Sequence, residues 1–191
     1  MHQKTHQTAV VIIPSKEIWA SIQSIRQQHD TNYRRWMPHI TLMYPFRPRA
    51  EFDLVADQLS QTCQSQSPFW ICLKLFRFFS HHRSRYTIWL DPQPPSSTLG
   101  TSTHRQNPIK DLQKDLWQTI PDCDDTRRFK NGFTPHLSVG QATSKLNLDH
   151  FLSQFQQEWQ PLTFHVPEVY LIWRNDPPND VFEVARTITF S

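Results

Sequence analysis

Glycine is nearly missing from this chain. Its 191 residues hold only three, at positions 100, 132 and 140. Neither the G-x-G-x-x-G dinucleotide fingerprint nor the Walker phosphate loop can be written with so few. Long apolar runs are missing too: Ala9–Ile13 is a typical one, far short of the roughly 18 residues a membrane helix needs. The polar stretch Met1–Thr8 lacks the apolar segment of a secretory signal. Three cysteines, Cys63, Cys72 and Cys123, are odd in number and widely spaced, with no C-x-x-C. That argues against a zinc site or a disulfide framework and fits a reducing compartment. An intracellular location is therefore expected, cytoplasmic or nuclear. Net charge is only +3, a mild basic tilt that suits an anionic ligand but not a histone-like tail.

The composition is otherwise globular, with 37% hydrophobic and 13% aromatic residues in a length that suits one domain with one sizeable core. Val10–Ile13 is a short β-branched strand closed by Pro14, after which Ser15 is placed to cap a helix carrying Ile18, Ile22, Ile25 and His29. Pro38 opens a strand over His39–Tyr44 and Pro45 closes it. Phe52, Val55, Leu59 and Cys63 mark a second helix. Phe69–Phe79 and Tyr86–Leu90 alternate as strands. Residues 92–106 are rich in Pro, Ser and Thr and read as a loop dividing the chain into halves of about 1–91 and 107–191. Asn107-Pro108 is a helix start, followed by the stripe Ile109, Leu112, Leu116 and Ile120. A strand over Phe133–Gly140, a helix with Leu148, Phe151, Phe155 and Trp159, and strands over Leu162–Trp173 and Val181–Phe190 complete the order.

The two halves share that order. His39 lies eleven residues before Ala50, where the second helix is expected to begin, and His136 lies eleven before Asn147, the expected start of the fourth. Such a repeat predicts two similar lobes facing each other across a cleft, with antiparallel sheets in an α+β arrangement.

The chemistry sits in the central strand of each half. One reads Pro38-His39-Ile40-Thr41-Leu42, the other Pro135-His136-Leu137-Ser138-Val139. Side chains alternate along a strand. His39 and Thr41 therefore share one face, as do His136 and Ser138, with the apolar residues behind. With ten His and 15 Pro in the chain, chance gives about 0.1 Pro-His-x-Ser/Thr strings, and two stand in equivalent places. Paired imidazoles suit the in-line cleavage of a phosphodiester, which needs a base on the attacking oxygen and an acid on the leaving oxygen. An imidazole with a pKa near 6.5 serves as either. The hydroxyls are suited to orient the non-bridging phosphate oxygens. No cofactor and no metal ion are needed for this chemistry.

These residues carry a family resemblance. The paired H-x-T/S motifs, with the flanking runs His39–Phe46 and Phe133–Gln141, resemble the 2H phosphoesterase superfamily of 2′-5′ RNA ligase and cyclic phosphodiesterase-like proteins. The resemblance covers essentially the whole chain in element order and departs in having Ser138 where threonine is commoner. It implies a single bilobal domain with a pseudo-twofold axis, sheets lining a central cleft and helices outside. It implies His39, Thr41, His136 and Ser138 as catalytic residues, and a nucleotide or RNA end with a 2′,3′-cyclic phosphate or a 2′-5′ linkage as partner. A monomer without membrane association is expected. A ligase running the reverse reaction and a non-catalytic module binding nucleotides or RNA ends remain as alternatives.

Around the motifs, Tyr44, Phe46 and Phe133 are candidates to stack on a base, or else to pack in the core. Arg174 matches an arginine that similar proteins show near the last hairpin, placed for phosphate or base, or else for solvent. Arg77, His81, His82, Arg83 and Arg85 make a basic hairpin end, read as an RNA contact or a solvated turn. Arg127, Arg128 and Lys130 add positive charge before the second motif. His2 and His6 lie four apart in a terminus expected to fray, and Cys72 is expected to be buried in its strand.

Overall fold

The computed structural model describes residues 3–95 and 107–191. Its regular elements run β1 (Thr8–Ile12), α1 (Trp19–His29), β2 (Ile40–Met43), α2 (Phe52–Cys63), β3 (Phe69–His81), β4 (Arg85–Gln93), α3 (Pro108–Thr119), β5 (Leu137–Ala142), α4 (Lys145–Glu158), β6 (Leu162–Val166), β7 (Glu168–Trp173) and β8 (Glu183–Thr189). The strands form two antiparallel four-stranded sheets, ordered β2-β1-β7-β8 and β5-β4-β3-β6. This is a bilobal α+β fold.

The lobes are not the sequence halves. Each sheet takes two strands from before the 92–106 segment and two from after it. The joint is Pro167. The single strand expected over 162–173 is two, because a proline without an N–H cannot continue a ladder. β6 pairs with β3 in one sheet, and β7 pairs with β1 in the other. The helices cross over as well. α1 and α4 pack on the β5-β4-β3-β6 sheet, whereas α2 packs on β7 and β8 and α3 packs on α2 and β2. One apolar cluster runs through both sheets, from Val10, Ile40 and Leu171 to Ile71, Ile88 and Leu137.

The helix stripes read from the sequence are the buried ones: Phe52, Val55, Leu59 and Cys63 in α2, and Ile109, Leu112 and Leu116 in α3. Asn107 Oδ1 accepts the N–H groups of Ile109 and Lys110 at 3.1 and 3.3 Å, with Pro108 in the first turn. Ser15 makes no side-chain cap; a 3-10 turn over Lys16–Ile18 leads into α1 instead. The eleven-residue spacing is not kept either. A 3-10 turn over Arg49–Glu51 delays α2 to Phe52, while Ser144 Oγ caps α4 through the Asn147 N–H at 3.1 Å and starts it at Lys145. Pro92 and Gln93, read as loop, pair with Leu73 and Cys72 at the end of β4 beside a register irregularity, where a proline is tolerated. The rest of that loop, 96–106, lies outside the described residues, as does His2. Cys72 is half-buried, unlike the buried Cys63 and Cys123.

Candidate active site

β2 and β5, read from the sequence as central strands, are the edge strands of their sheets. That is what brings them together, because two edges can approach each other across a gap. Along both, burial alternates as the pattern demands. Ile40 and Leu42, and Leu137 and Val139, are buried, while Thr41 and Ser138 are half-buried. His39 and His136 stand one residue ahead of their strands. His39, Thr41, His136 and Ser138 all line one cleft of about 1220 Å³.

The two imidazoles are held in the same way. His39 Nδ1 lies 2.7 Å from the Met37 carbonyl and His136 Nδ1 lies 2.8 Å from the Thr134 carbonyl, each two residues back. A carbonyl only accepts, so Nδ1 carries the hydrogen in both rings. Nε2 is left as the nitrogen with a lone pair, without a partner among the described residues. The hydroxyls of Thr41 and Ser138 also have no partner among the described residues and are free for a ligand.

Their surroundings differ. Trp36 stacks on His39, with ring centroids 4.5 Å apart and planes 16° apart, and its ring centroid lies 3.7 Å from that of Phe182. The Phe182 N–H donates to the Arg35 carbonyl at 2.9 Å, which fixes the support beneath Trp36. His136 is instead met edge to face by Phe79 and Trp89, at 4.9 and 5.9 Å. Burial pushes the His39 imidazole down to about 4. The Met37 carbonyl opposes that shift, while the charges of Arg26 and His136 reinforce it. Burial also lowers His136, against the Thr134 carbonyl.

A buried pair ties the cleft together. Arg26 Nε donates to Asp30 Oδ2 at 2.8 Å at the end of α1, and both residues are buried. Asp30 Oδ1 accepts from Gln141 Nε2 at 3.1 Å and from the Asn32 N–H at 2.9 Å. Gln141 is on β5, and its Oε1 accepts the Thr31 N–H at 2.9 Å. Beside it, a Cβ built on Gly140 would lie 2.9 Å from His29 Cβ and 3.2 Å from the His29 carbonyl oxygen. So α1, which leads into the first motif, is docked directly on the strand of the second.

The other expected residues divide. Tyr44 and Phe133 line the cleft, and Tyr44 Oη donates to the His6 carbonyl at 3.2 Å. Burial raises the Tyr44 phenol, and the nearby charges of Arg174 and Arg35 oppose that rise. Phe46 is fully buried in the core and cannot stack on a ligand. Beyond the end of β2 its backbone pairs with Thr5, and its ring packs against Phe52. Arg174 is not on the cleft wall. Its guanidinium lies over Phe182 at 5.6 Å and donates to the Asn175 carbonyl at 3.0 Å. Of the basic residues, His81, His82 and Lys130 reach the wall. Arg77 pairs with Asp91, Arg128 with Asp124, and Arg127 lies over Trp117 at 4.2 Å. The sequence reading passed over Trp36, Phe79, Trp89 and Asp30, and gave no role to Gln141 at the end of the second motif run. Strand register places Phe79 and Trp89, while Asp30 and Trp36 lie in the segment between α1 and β2. Among the described residues no group of three or more His, Cys, Asp or Glu is placed to hold a metal ion.

Two edge strands presenting paired histidines and hydroxyls to one cleft, on two antiparallel sheets, define the 2H phosphoesterase class. The profile of the 2′-5′ RNA ligase superfamily matches residues 14–178, and the chain belongs to that superfamily. A protein of Geobacillus kaustophilus named "Putative phosphoesterase" is 33% identical over 133 residues, 69% of this chain and 67% of its own. One of the same name from Halalkalibacterium halodurans is 24% identical over 87% of this chain and 88% of its own. The fold is shared with TT0787 of Thermus thermophilus, with a TM-score of 0.63, 13% identity and coverage of 96% and 97% of the two chains. It is shared too with Escherichia coli LigT solved with ATP, with a TM-score of 0.59, 16% identity and 99% of each chain.

Proposed function

We propose that this protein is a metal-independent phosphodiesterase. It hydrolyses 2′,3′-cyclic phosphates or 2′-5′ linkages of nucleotides or RNA ends by acid–base catalysis through His39 and His136. The observation that carries this reading is the matched pair of imidazoles, each tied through Nδ1 to a backbone carbonyl, with both rings lining one cleft. In cyclic phosphate hydrolysis one Nε2 takes a proton from water, and the water oxygen bonds to phosphorus. The bond from phosphorus to the 2′ or 3′ oxygen breaks, and the other imidazole protonates that oxygen. Thr41 and Ser138 hold the non-bridging oxygens. Besides burial, the charges of Arg26 and His136 disfavour the His39 imidazolium, whereas burial is the one influence that lowers His136, and this favours a proton on His136. His39 is then the base and His136 the acid. Crystals of LigT with 3′-AMP, ATP and NADP+ support a nucleotide as ligand.

The test is turnover of the four nucleoside 2′,3′-cyclic monophosphates in EDTA by wild type, His39→Ala and His136→Ala. Each substitution is expected to lower kcat by about 10²–10⁴-fold. Activity lost on chelation and restored by a divalent ion overturns the metal-free mechanism. Variants that turn over like wild type overturn the roles of the histidines.

A further inference from the structure

The cleft is larger than a mononucleotide requires. At about 1220 Å³ it exceeds the roughly 300–1,000 Å³ of small-molecule pockets, and the four motif residues are a small part of its lining. The register of β5 gives it length. Leu137, beside His136, pairs with Leu90, whereas Gln141 and Ala142 pair with Thr87 and Tyr86 near the β3–β4 tip. His81 and His82 on that tip border the cleft beside the far end of β5, and residues 129–133, which lead into the second motif, border it as well. The six residues of β5 themselves run roughly 17–20 Å.

Along residues 129–133 the wall carries two side chains suited to a ligand. Phe129 is 71% exposed although it borders the cleft. Lys130, next to it on the same wall, forms no ion pair with any described residue. A large exposed aromatic ring beside an unpaired cation is the combination that holds single-stranded nucleic acid, the ring stacking on a base and the cation meeting a phosphate.

We propose that Phe129 and Lys130 form a subsite for the nucleotide adjoining the reacting phosphate, so that the substrate is a single-stranded oligonucleotide and not a mononucleotide. This deepens the phosphodiesterase reading above and rests on it for the position of the reacting phosphate.

The experiment compares kcat/KM for a tetranucleotide ending in a 2′,3′-cyclic phosphate with that for the matching cyclic mononucleotide. It is paired with fluorescence anisotropy of a 5′-fluorescein tetranucleotide 3′-phosphate. The tetranucleotide is expected to be preferred by about tenfold or more. Phe129→Ala should cut that preference, and the anisotropy affinity, at least about fivefold, while Phe129→Tyr keeps both. Lys130→Ala should weaken binding and flatten its salt dependence. Equal kcat/KM for the two substrates, or a preference untouched by Phe129→Ala and Lys130→Ala, overturns the subsite while leaving the phosphodiesterase reading intact. If no substrate is turned over, that reading fails instead. The anisotropy then decides the subsite alone: a fivefold loss in Phe129→Ala supports it, and unchanged binding overturns it.

Discussion

His39 and His136 are built by the same local rule and end in different environments. Each follows a proline, bonds through Nδ1 to the carbonyl two residues back, and precedes a buried apolar residue and then a hydroxyl. The local motif sets geometry, and it does so twice. It does not set basicity. Trp36, Arg26 and Asp30 surround His39, whereas Phe79 and Trp89 surround His136, and none of these belongs to a motif. A duplicated motif can therefore supply a symmetric pair of groups while unduplicated neighbours divide the roles of acid and base between them.

After the histidines themselves, the hydroxyls offer the largest effect that tests the symmetric part. Neither Thr41 nor Ser138 has a partner among the described residues, so each is free to hold a phosphate oxygen. Thr41→Ala and Ser138→Ala should each lower kcat/KM by about 10–100-fold, the range for a hydrogen bond to a charged group. Thr41→Ser and Ser138→Thr should each stay within a few-fold of wild type. Equal damage from Ala and from the exchanged hydroxyl would mean that shape matters there and the hydroxyl does not.

Next comes the contact that joins the two sides. A methyl group on Gly140 would lie 2.9 Å from His29 Cβ and 3.2 Å from a backbone oxygen, and backbone cannot swing aside as a flexible side chain does. Gly140→Ala should cost about 1–3 kcal/mol in urea unfolding and lower activity by pushing α1 off β5. A variant as stable and active as wild type would show that α1 docking does not set the spacing of the motifs.

Stability against pH tests the burial of both imidazoles. A histidine whose folded pKa is pushed down favours folding only in its neutral form. Its contribution is complete above about 6.5 and is lost as pH falls toward the folded value, about 4 for His39. Between pH 7.5 and pH 5 that loss is on the order of 2 kcal/mol. His39→Asn should flatten the fall in Tm over this window, and since burial lowers His136 as well, His136→Asn should flatten it too. A fall unchanged in both variants would contradict the burial of the two rings.

How much of this was legible in the sequence depends on the range of the interaction. The motif residues, the face they share and the stripes of α2 and α3 are local, and strand or helix periodicity fixes them. The pairing of β3 with β6 and of β1 with β7 is not local. Nothing in the composition says that Pro167 sends two adjacent strands into different sheets. Without that topology β2 and β5 look like centres, when being edges is what lets them face each other. Phe46 illustrates the same limit. It stands two residues beyond Tyr44 and looks equally available, yet one lines the cleft and the other fills the core.

The smallest effect probes the aromatic neighbours themselves. Two influences of Trp36 on His39 oppose each other. Its ring shuts out water, which disfavours the imidazolium, and its stacked π face attracts the cation by about 0.5–1 kcal/mol. Burial is the stronger, since the imidazole is pushed down and not up. Trp36→Leu removes the π attraction and only part of the burial, so the net rise in the His39 pKa should be slight, about half a unit. Read in kcat/KM against pH, it should move the acidic limb, where the base must lose its proton, and leave the alkaline limb in place. Phe79→Leu should do the converse, raising the alkaline limb set by the proton on His136. If both substitutions moved the same limb, the assignment of His39 as base and His136 as acid would fall, and the difference in their surroundings would concern packing alone.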